Sequence, residues 1–311
     1  MASLGASGGY WIQQVLNGLF LASIYCLLAT AYALLQGLTN RIILSFGDIA
    51  TFGAFAAVSA AVYAMLHGWS GALVLMAAVA VAGISAAGVG RLLHSMAFRP
   101  LGVSGGQAVM IASVGLSIVI QELLRLHSAG RDQWLPPLFD GSLRISEGRF
   151  PVQIGFTQLG SLALAWLLLA SLHAAMATTP VCREWRSVAQ NRRLAELCGV
   201  DTERVVRWSF IAAGGLAGIS GAVIATAYGG VSFVMGLVLG FKAMFAAIIG
   251  GFGTLGGAIA GGLFLAMVEV MWTALFPAAY RDIAVFAIII LVLLVRPEGL
   301  LGRVLRREDH I

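Results

Sequence analysis

Residues 11–36 read WIQQVLNGLFLASIYCLLATAYALLQ, an unbroken run without Asp, Glu, Lys or Arg. A helix needs about 20 apolar residues to cross the roughly 30 Å hydrocarbon layer of a bilayer, and this run is long enough alone. Working outward, predominantly apolar runs recur at 42–66, 72–93, 107–124, 150–175, 209–228, 233–250, 255–275 and 283–295. The pattern predicts an all-α, polytopic membrane protein with eight or nine transmembrane segments in one domain covering residues 1–311. The runs at 233–250 and 283–295 are short. Glycines scattered through 236–262 make a broken or re-entrant helix the alternative to two clean crossings.

Composition agrees. Of 311 residues, 59% belong to the AVILMFWYC set and 11% are charged, and the mean hydropathy is +0.92. Soluble domains carry roughly 25% charged residues, so this chain is built for lipid. The net charge of +5 is spread between apolar runs, without a basic domain or an aromatic platform, which argues against nucleic acid. Cys26, Cys182 and Cys198 stand far apart and predict packing, not a disulfide framework. The first run is about a full crossing with no basic leader before Tyr10, so it reads as a retained span and not a cleaved signal.

Orientation follows from the arginines, because short cytoplasmic loops retain positive side chains. With residues 178–207 cytoplasmic, nine crossings put Arg41, Arg91, Arg99, Arg303, Arg306 and Arg307 on that side. Arg125, Arg131, Arg144, Arg149 and Arg281 fall opposite, partly balanced by Asp132, Asp140, Glu147 and Asp282. The amino terminus is then outside and the carboxy terminus cytoplasmic. The external loop at 127–150, with Pro136-Pro137 and Asp140-Gly141, reads as a turn-rich cap. Within the inner loop at 178–207, Val188, Ala195 and Cys198 form a loose apolar stripe that predicts a short amphipathic helix ended by Gly199, lying on the membrane or docking a partner.

Chemistry-bearing patterns are sparse. The histidines lie far apart without a His-Glu-x-x-His run, and no phosphate-binding Gly-x-x-x-x-Gly-Lys-Ser/Thr loop occurs. The chain therefore reads as no enzyme, binding no cofactor itself, and any ATP energy must be imported. Asp48, Glu122, Lys242 and Glu269 sit in or near apolar runs, where an unpaired charge is costly, so each should face protein, a cavity or the interface. Lys242 is the only lysine, and pairing with Glu269 would lower the cost of both; a packing lock and a gating or substrate role remain open. Asp48 is open between a path role and a structural hydrogen bond at a helix break. The four-residue spacings Gly214 to Gly218 and Gly257 to Gly261 allow close helix crossings.

An ordered series of short blocks now carries a resemblance over nearly the whole chain. It runs from Leu16-Asn17-Gly18-Leu19 and Ser23-Ile24-Tyr25 through Ser45-Phe46-Gly47-Asp48, Gly53-Ala54-Phe55, Arg99-Pro100-Leu101 and Ala112-Ser113-Val114-Gly115-Leu116-Ser117. It continues with Arg186-Ser187-Val188-Ala189-Gln190-Asn191, Leu197-Cys198-Gly199-Val200, Gly250-Gly251-Phe252-Gly253-Thr254-Leu255-Gly256-Gly257-Ala258 and Arg296-Pro297-Glu298-Gly299-Leu300-Leu301-Gly302. The series resembles the permease subunits of bacterial ABC importers for branched-chain amino acids, in particular the first of the two related permeases of the high-affinity system. One departure stands out: the family usually carries an Asn and then a His before the Gly-acidic pair, where this chain has Ile43 and Phe46.

The resemblance implies an inner-membrane importer subunit forming half of a path for branched-chain or related hydrophobic amino acids. It implies as partners a related second permease, two ATPase subunits that hold ATP and Mg, a periplasmic or surface binding protein, and the membrane lipids. Arg186, Asn191, Ala195, Leu197 and Gly199 then fall in the segment coupled to an ATPase. Phe46, Asp48, Phe52, Lys242, Gly251, Gly253 and Glu269 are the candidates for the path. The same type of permease for urea or short amides is the alternative, followed by a structural or receptor-like subunit that transports nothing.

Overall fold

The computed structural model describes residues 8–101, 106–139, 141–146, 152–251, 253–296 and 299–300. The longest helix, α1 (Gly8–Thr39), is followed by α2 (Phe46–Leu66) and α3 (Gly71–Leu93). A π-helical turn at His94–Phe98 leads from α3 into the single turn α4 (Arg99–Leu101). After α5 (Gly106–His127) come three short strands, β1 (Gln133–Trp134), β2 (Ser142–Ser146) and β3 (Val152–Gly155). Then follow α6 (Phe156–Thr178), α7 (Pro180–Gln190), α8 (Arg192–Leu197) and α9 (Thr202–Tyr228). Strand β4 (Gly230–Val231), α10 (Met235–Gly250), α11 (Leu255–Leu275) and α12 (Arg281–Val295) complete the order. Among the described residues eight helices are long and apolar enough to cross a membrane, and α10 is a ninth, shorter apolar helix. The stretch expected to break is thus two helices joined by a tight turn, and the last span reaches crossing length because a single helical turn at Ala278–Tyr280 extends α12 to 18 residues.

At about 1.5 Å per residue, the 32 residues of α1 extend about 48 Å and overshoot the apolar layer. This helix is the central post, packed against α9, α10 and α11, while α9 packs against α2 and α3. Small residues set these approaches. A Cβ on Gly221 would lie 1.9 Å from the Ala50 carbonyl oxygen, one on Gly218 2.4 Å from that of Ala82, and one on Gly261 2.0 Å from that of Ala246. Backbones approach this closely only without side chains between them.

Contacts sort the helix termini into two ends. At one, Trp185 Nε1 donates to the Leu34 carbonyl (3.1 Å), Arg99 pairs with Glu203 (2.8 Å), and the Leu300 amide donates to Ile249 (2.6 Å). At the other, the Tyr10 hydroxyl donates to Ala274 (3.1 Å), the Gln153 amide to Gln13 Oε1 (3.0 Å), and the Leu135 amide to Gly229 (2.7 Å). Successive long helices therefore alternate in direction. Arg41, Arg91, Arg99, Arg183, Arg186, Arg192 and Arg193 gather at the first end.

Three of the boundaries that differ from the sequence expectation bear on the site. Residues 42–45 are not helical. Asn40 turns back with φ +48°, a conformation Asn tolerates better than most residues, and α2 begins where Phe46 meets Tyr32, ring centroids 5.5 Å apart. Tyr32 lies seven residues before the end of α1, so α2 starts about 10 Å inside the bundle. Second, β3 occupies residues counted with the fifth span; it pairs antiparallel with β2, so the cap is partly sheet. Asp140 and residues 147–150 of that loop lie outside the described residues. Third, the inner amphipathic helix is two helices, because Asn191 adopts extended φ −155° and its side chain accepts from the Leu194 amide (3.1 Å), capping α8. Gly199, φ +85°, ends α8 as expected. Cys26 is buried in the core, whereas Cys182 is half-buried and Cys198 exposed, so packing explains only the first.

Candidate translocation site

The path candidates fall in three places. The first is the start of α2. Asp48 lies in its first turn, where the helix N-terminus favours negative charge, and is wholly buried. Its carboxylate accepts from the Ser117 hydroxyl and from Gln121 Nε2 (2.9 Å). Ser117 and Gln121 are four apart on α5 and so share a face. Asp48 therefore clamps α5 onto α2 at the start of α2. Phe46 is fully buried and Phe52 half-buried. Gly47 provides the room: a Cβ there would lie 1.9 Å from the Gly236 carbonyl oxygen of α10.

The second place is the turn between α10 and α11. Gly251 (φ +113°) and Gly253 (φ +76°) adopt conformations that disfavour side chains, and Gly250 abuts Gly257. A Cβ on Gly37 of α1 would lie 3.5 Å from the Gly253 Cα. This turn sits at the arginine-rich end.

The third holds the densest buried charge, toward the opposite end. Lys242 Nζ lies 2.9 Å from Glu269 Oε1 and 2.8 Å from Asp282 Oδ1, while Arg281 Nε lies 3.2 Å from Glu269 Oε1. The Tyr25 hydroxyl donates to Glu269 Oε2 (2.6 Å). Lys242 and Glu269 are buried, whereas the Arg281 and Asp282 side chains are nearly half exposed. Two cations and two anions leave no orphan, the condition for charge at membrane depth. The sequence pointed to Lys242 and Glu269; Tyr25, Arg281 and Asp282 were missed as partners. The available signal was an Arg-Asp pair opening the last apolar run.

Two cavities flank this cluster, of about 340 Å³ and about 460 Å³. Both are lined by Leu21, Tyr228, Glu269 and Arg281, so the Arg281–Glu269 pair stands between them. The smaller adds Gln13, Asn17, Gln158 and Thr273; the larger adds Ile24, Ile224, Met235, Val238 and Leu239. The path residues are therefore not one surface, for Gly236 and Gly240 of α10 pack on Gly47 of α2 while Lys242 meets α11.

At the arginine-rich end, Trp185 and Val188 of α7 and Ala195 of α8 are buried, whereas Leu194 and Leu197 are strongly exposed. Arg186, Asn191 and Gly199 are also exposed. Ala195 thus seats α8, and Trp185, unremarked in the sequence, ties the segment to α1. The Thr202 hydroxyl and the Arg192 guanidinium hold the Glu196 carboxyl below its ordinary range. A depressed carboxylate steadies the segment above the ordinary range and releases it as pH falls through the lowered value.

Comparison with known sequences gives one consistent answer. The family described as branched-chain amino acid transport system / permease component matches residues 14–293. The chain belongs to this family. It is 31% identical over 296 residues, 94% of this chain and 96% of the relative, to the high-affinity branched-chain amino acid transport system permease protein LivH of Salmonella typhimurium. Identity to the permease protein BraD of Pseudomonas aeruginosa is 28% over the same shares. The autoinducer 2 import system permease protein LsrC of Salmonella paratyphi B is 29% identical over 216 residues, 65% of this chain and 59% of the relative. No solved structure matches the chain. The protein is thus a multi-pass membrane permease subunit of an importer.

Proposed function

We propose that this permease forms half of the translocation path for branched-chain or related hydrophobic amino acids. The other half is a related second permease, two ATPase subunits holding ATP and Mg supply the energy, and a periplasmic or surface protein delivers the substrate. This chain itself catalyses nothing. The observation that carries the reading is the family match from residue 14 to 293, with relatives named for branched-chain amino acid transport covering nearly the whole chain.

The gathering of arginines at the end bearing α7 and α8 supports a cytoplasmic location for that end, with the amino terminus outside. There α7 and α8 dock an ATPase through the exposed Leu194, Leu197 and Arg186, and Trp185 passes the movement to α1. A ligand shifts a conformational equilibrium only by its differential contacts with the two states, and a tether from the docking segment to the central post supplies such a difference.

Uptake of radiolabelled leucine by the complete complex in proteoliposomes tests this, and ATP-dependent accumulation is expected. Leu197→Asp should lower uptake about tenfold or more, the size of a lost interface anchor, at unchanged permease abundance. Wild-type leucine uptake indistinguishable from an ATP-free control would refute the function, and full uptake by Leu197→Asp would refute the docking role.

A further inference from the structure

The larger cavity combines two features amino acids require. Part of its lining is aliphatic, from Leu21, Ile24, Ile224, Met235, Val238 and Leu239. The rest includes Lys242, Glu269, Arg281 and Asp282, two charges of each sign. Its volume of about 460 Å³ lies within the ordinary range of small-molecule sites. Val238 in its lining is 44% exposed.

We propose that this cavity is a transit site for the zwitterion of an aliphatic amino acid, with the Arg281–Glu269 pair as its displaceable latch. The assignment rests on the function proposed above and adds the residues and the recognition chemistry. The substrate carboxylate takes Arg281, the substrate ammonium takes Glu269, and the side chain lies on the aliphatic lining. A zwitterion brings one charge of each sign, so exchanging partners leaves every buried charge paired, whereas a molecule with a single net charge leaves one unpaired. The division of labour follows exposure. The Arg281 side chain is 44% exposed and has solvent to move into, while Lys242 and Glu269, at 3% and 5%, form the fixed floor. Tyr25, bonded to the far oxygen of Glu269, holds that carboxylate as Arg281 leaves. Polar groups of the smaller cavity, Gln13, Asn17 and Gln158 among them, lie on the other side of the latch.

The test uses the complete complex in proteoliposomes with radiolabelled L-leucine, recording uptake, ATP hydrolysis stimulated by the leucine-loaded binding protein, and permease abundance. Val238→Trp fills the cavity without touching a charge, and Arg281→Gln removes the latch. Each is expected to lower uptake by roughly tenfold with abundance and stimulated hydrolysis retained, and Arg281→Lys to restore part of it. The double variant Lys242→Met/Glu269→Met removes both floor charges without leaving an orphan; it should assemble and fail to transport. If the tryptophan variant does not assemble, Val238→Cys carrying a bulky thiol reagent takes its place, with the same expected loss. Uptake within about twofold of wild type in the cavity-filled and Arg281→Gln proteins, or full uptake by the double methionine variant, would overturn the site and leave a packing lock. Absence of leucine uptake by the wild-type complex would instead overturn the function on which the site rests.

Discussion

Lys242→Met, made alone, is expected to leave little folded permease in the membrane. The change removes the cation 2.9 Å from Glu269, a residue only 4% exposed, and leaves that carboxylate to Tyr25 and the nearly half-exposed Arg281. Breaking a buried ion pair from one side costs about 3–5 kcal/mol, a large part of the roughly 5–15 kcal/mol that holds a typical domain together. The penalty lies in the charge imbalance, two carboxylates left to one guanidinium, and not in the lost attraction. Removing both partners in Lys242→Met/Glu269→Met should therefore recover most of the yield and most of the thermal stability of detergent-solubilised protein. A single variant as stable as wild type would mean that water reaches Glu269 freely. The stability of the double variant also bears on the transit site, because only an assembled protein can show that transport is lost for lack of charge.

The second large effect concerns backbone contact. Gly221→Val is expected to destabilise the bundle by about 1–3 kcal/mol or more through overpacking, because the first added carbon would lie 1.9 Å from the Ala50 carbonyl oxygen and 2.8 Å from the Ala54 amide. Neither atom is the flexible end of a side chain, so α2 and α9 must separate. Gly88→Ala in α3 and Gly256→Ala in α11 are the matched controls, since nothing lies within 4 Å of a Cβ at either position and alanine favours helix over glycine. Thermal unfolding in detergent ranks the three. Equal melting of Gly221→Val and the controls would contradict the packing of α2 on α9.

Much of this architecture is legible in the sequence because the bilayer demands runs of a fixed length. Boundaries are less legible. Residues 42–44 are apolar, yet they belong to the return loop that starts α2 deep in the bundle, and only the Asn40 turn and the Tyr32–Phe46 contact reveal it. Helix α9 begins seven residues before the apolar run suggested, since Glu203, Arg204 and Arg207 continue the helix beyond the lipid-facing part. The inner segment divides at Asn191, whose capping preference competes with the weak apolar stripe across it.

Buried charge was legible by cost alone. The expense of a lone lysine at membrane depth pointed to Glu269, but no local rule connects Tyr25 on α1 or Asp282 on α12 to a lysine on α10. Asp48 shows the opposite case. Its clamp to Ser117 and Gln121 accounts for its burial, while its presence among the path candidates came from its depth. Gly251 and Gly253 shape the turn at the arginine-rich end, far from the charged cavity, because α10 puts about 12 Å of helix between Lys242 and Gly250.

The assignment of an ATP-facing end is tested most directly by the accessibility of Cys198, exposed beside α8 at the arginine-rich end, in a Cys182→Ser background where Cys26 stays buried. A membrane-impermeant maleimide should label this cysteine in inside-out membrane vesicles and leave it unlabelled in right-side-out vesicles. Labelling in right-side-out vesicles with protection in inside-out ones would put α7 and α8 on the wrong side of the membrane for any ATPase to drive the permease.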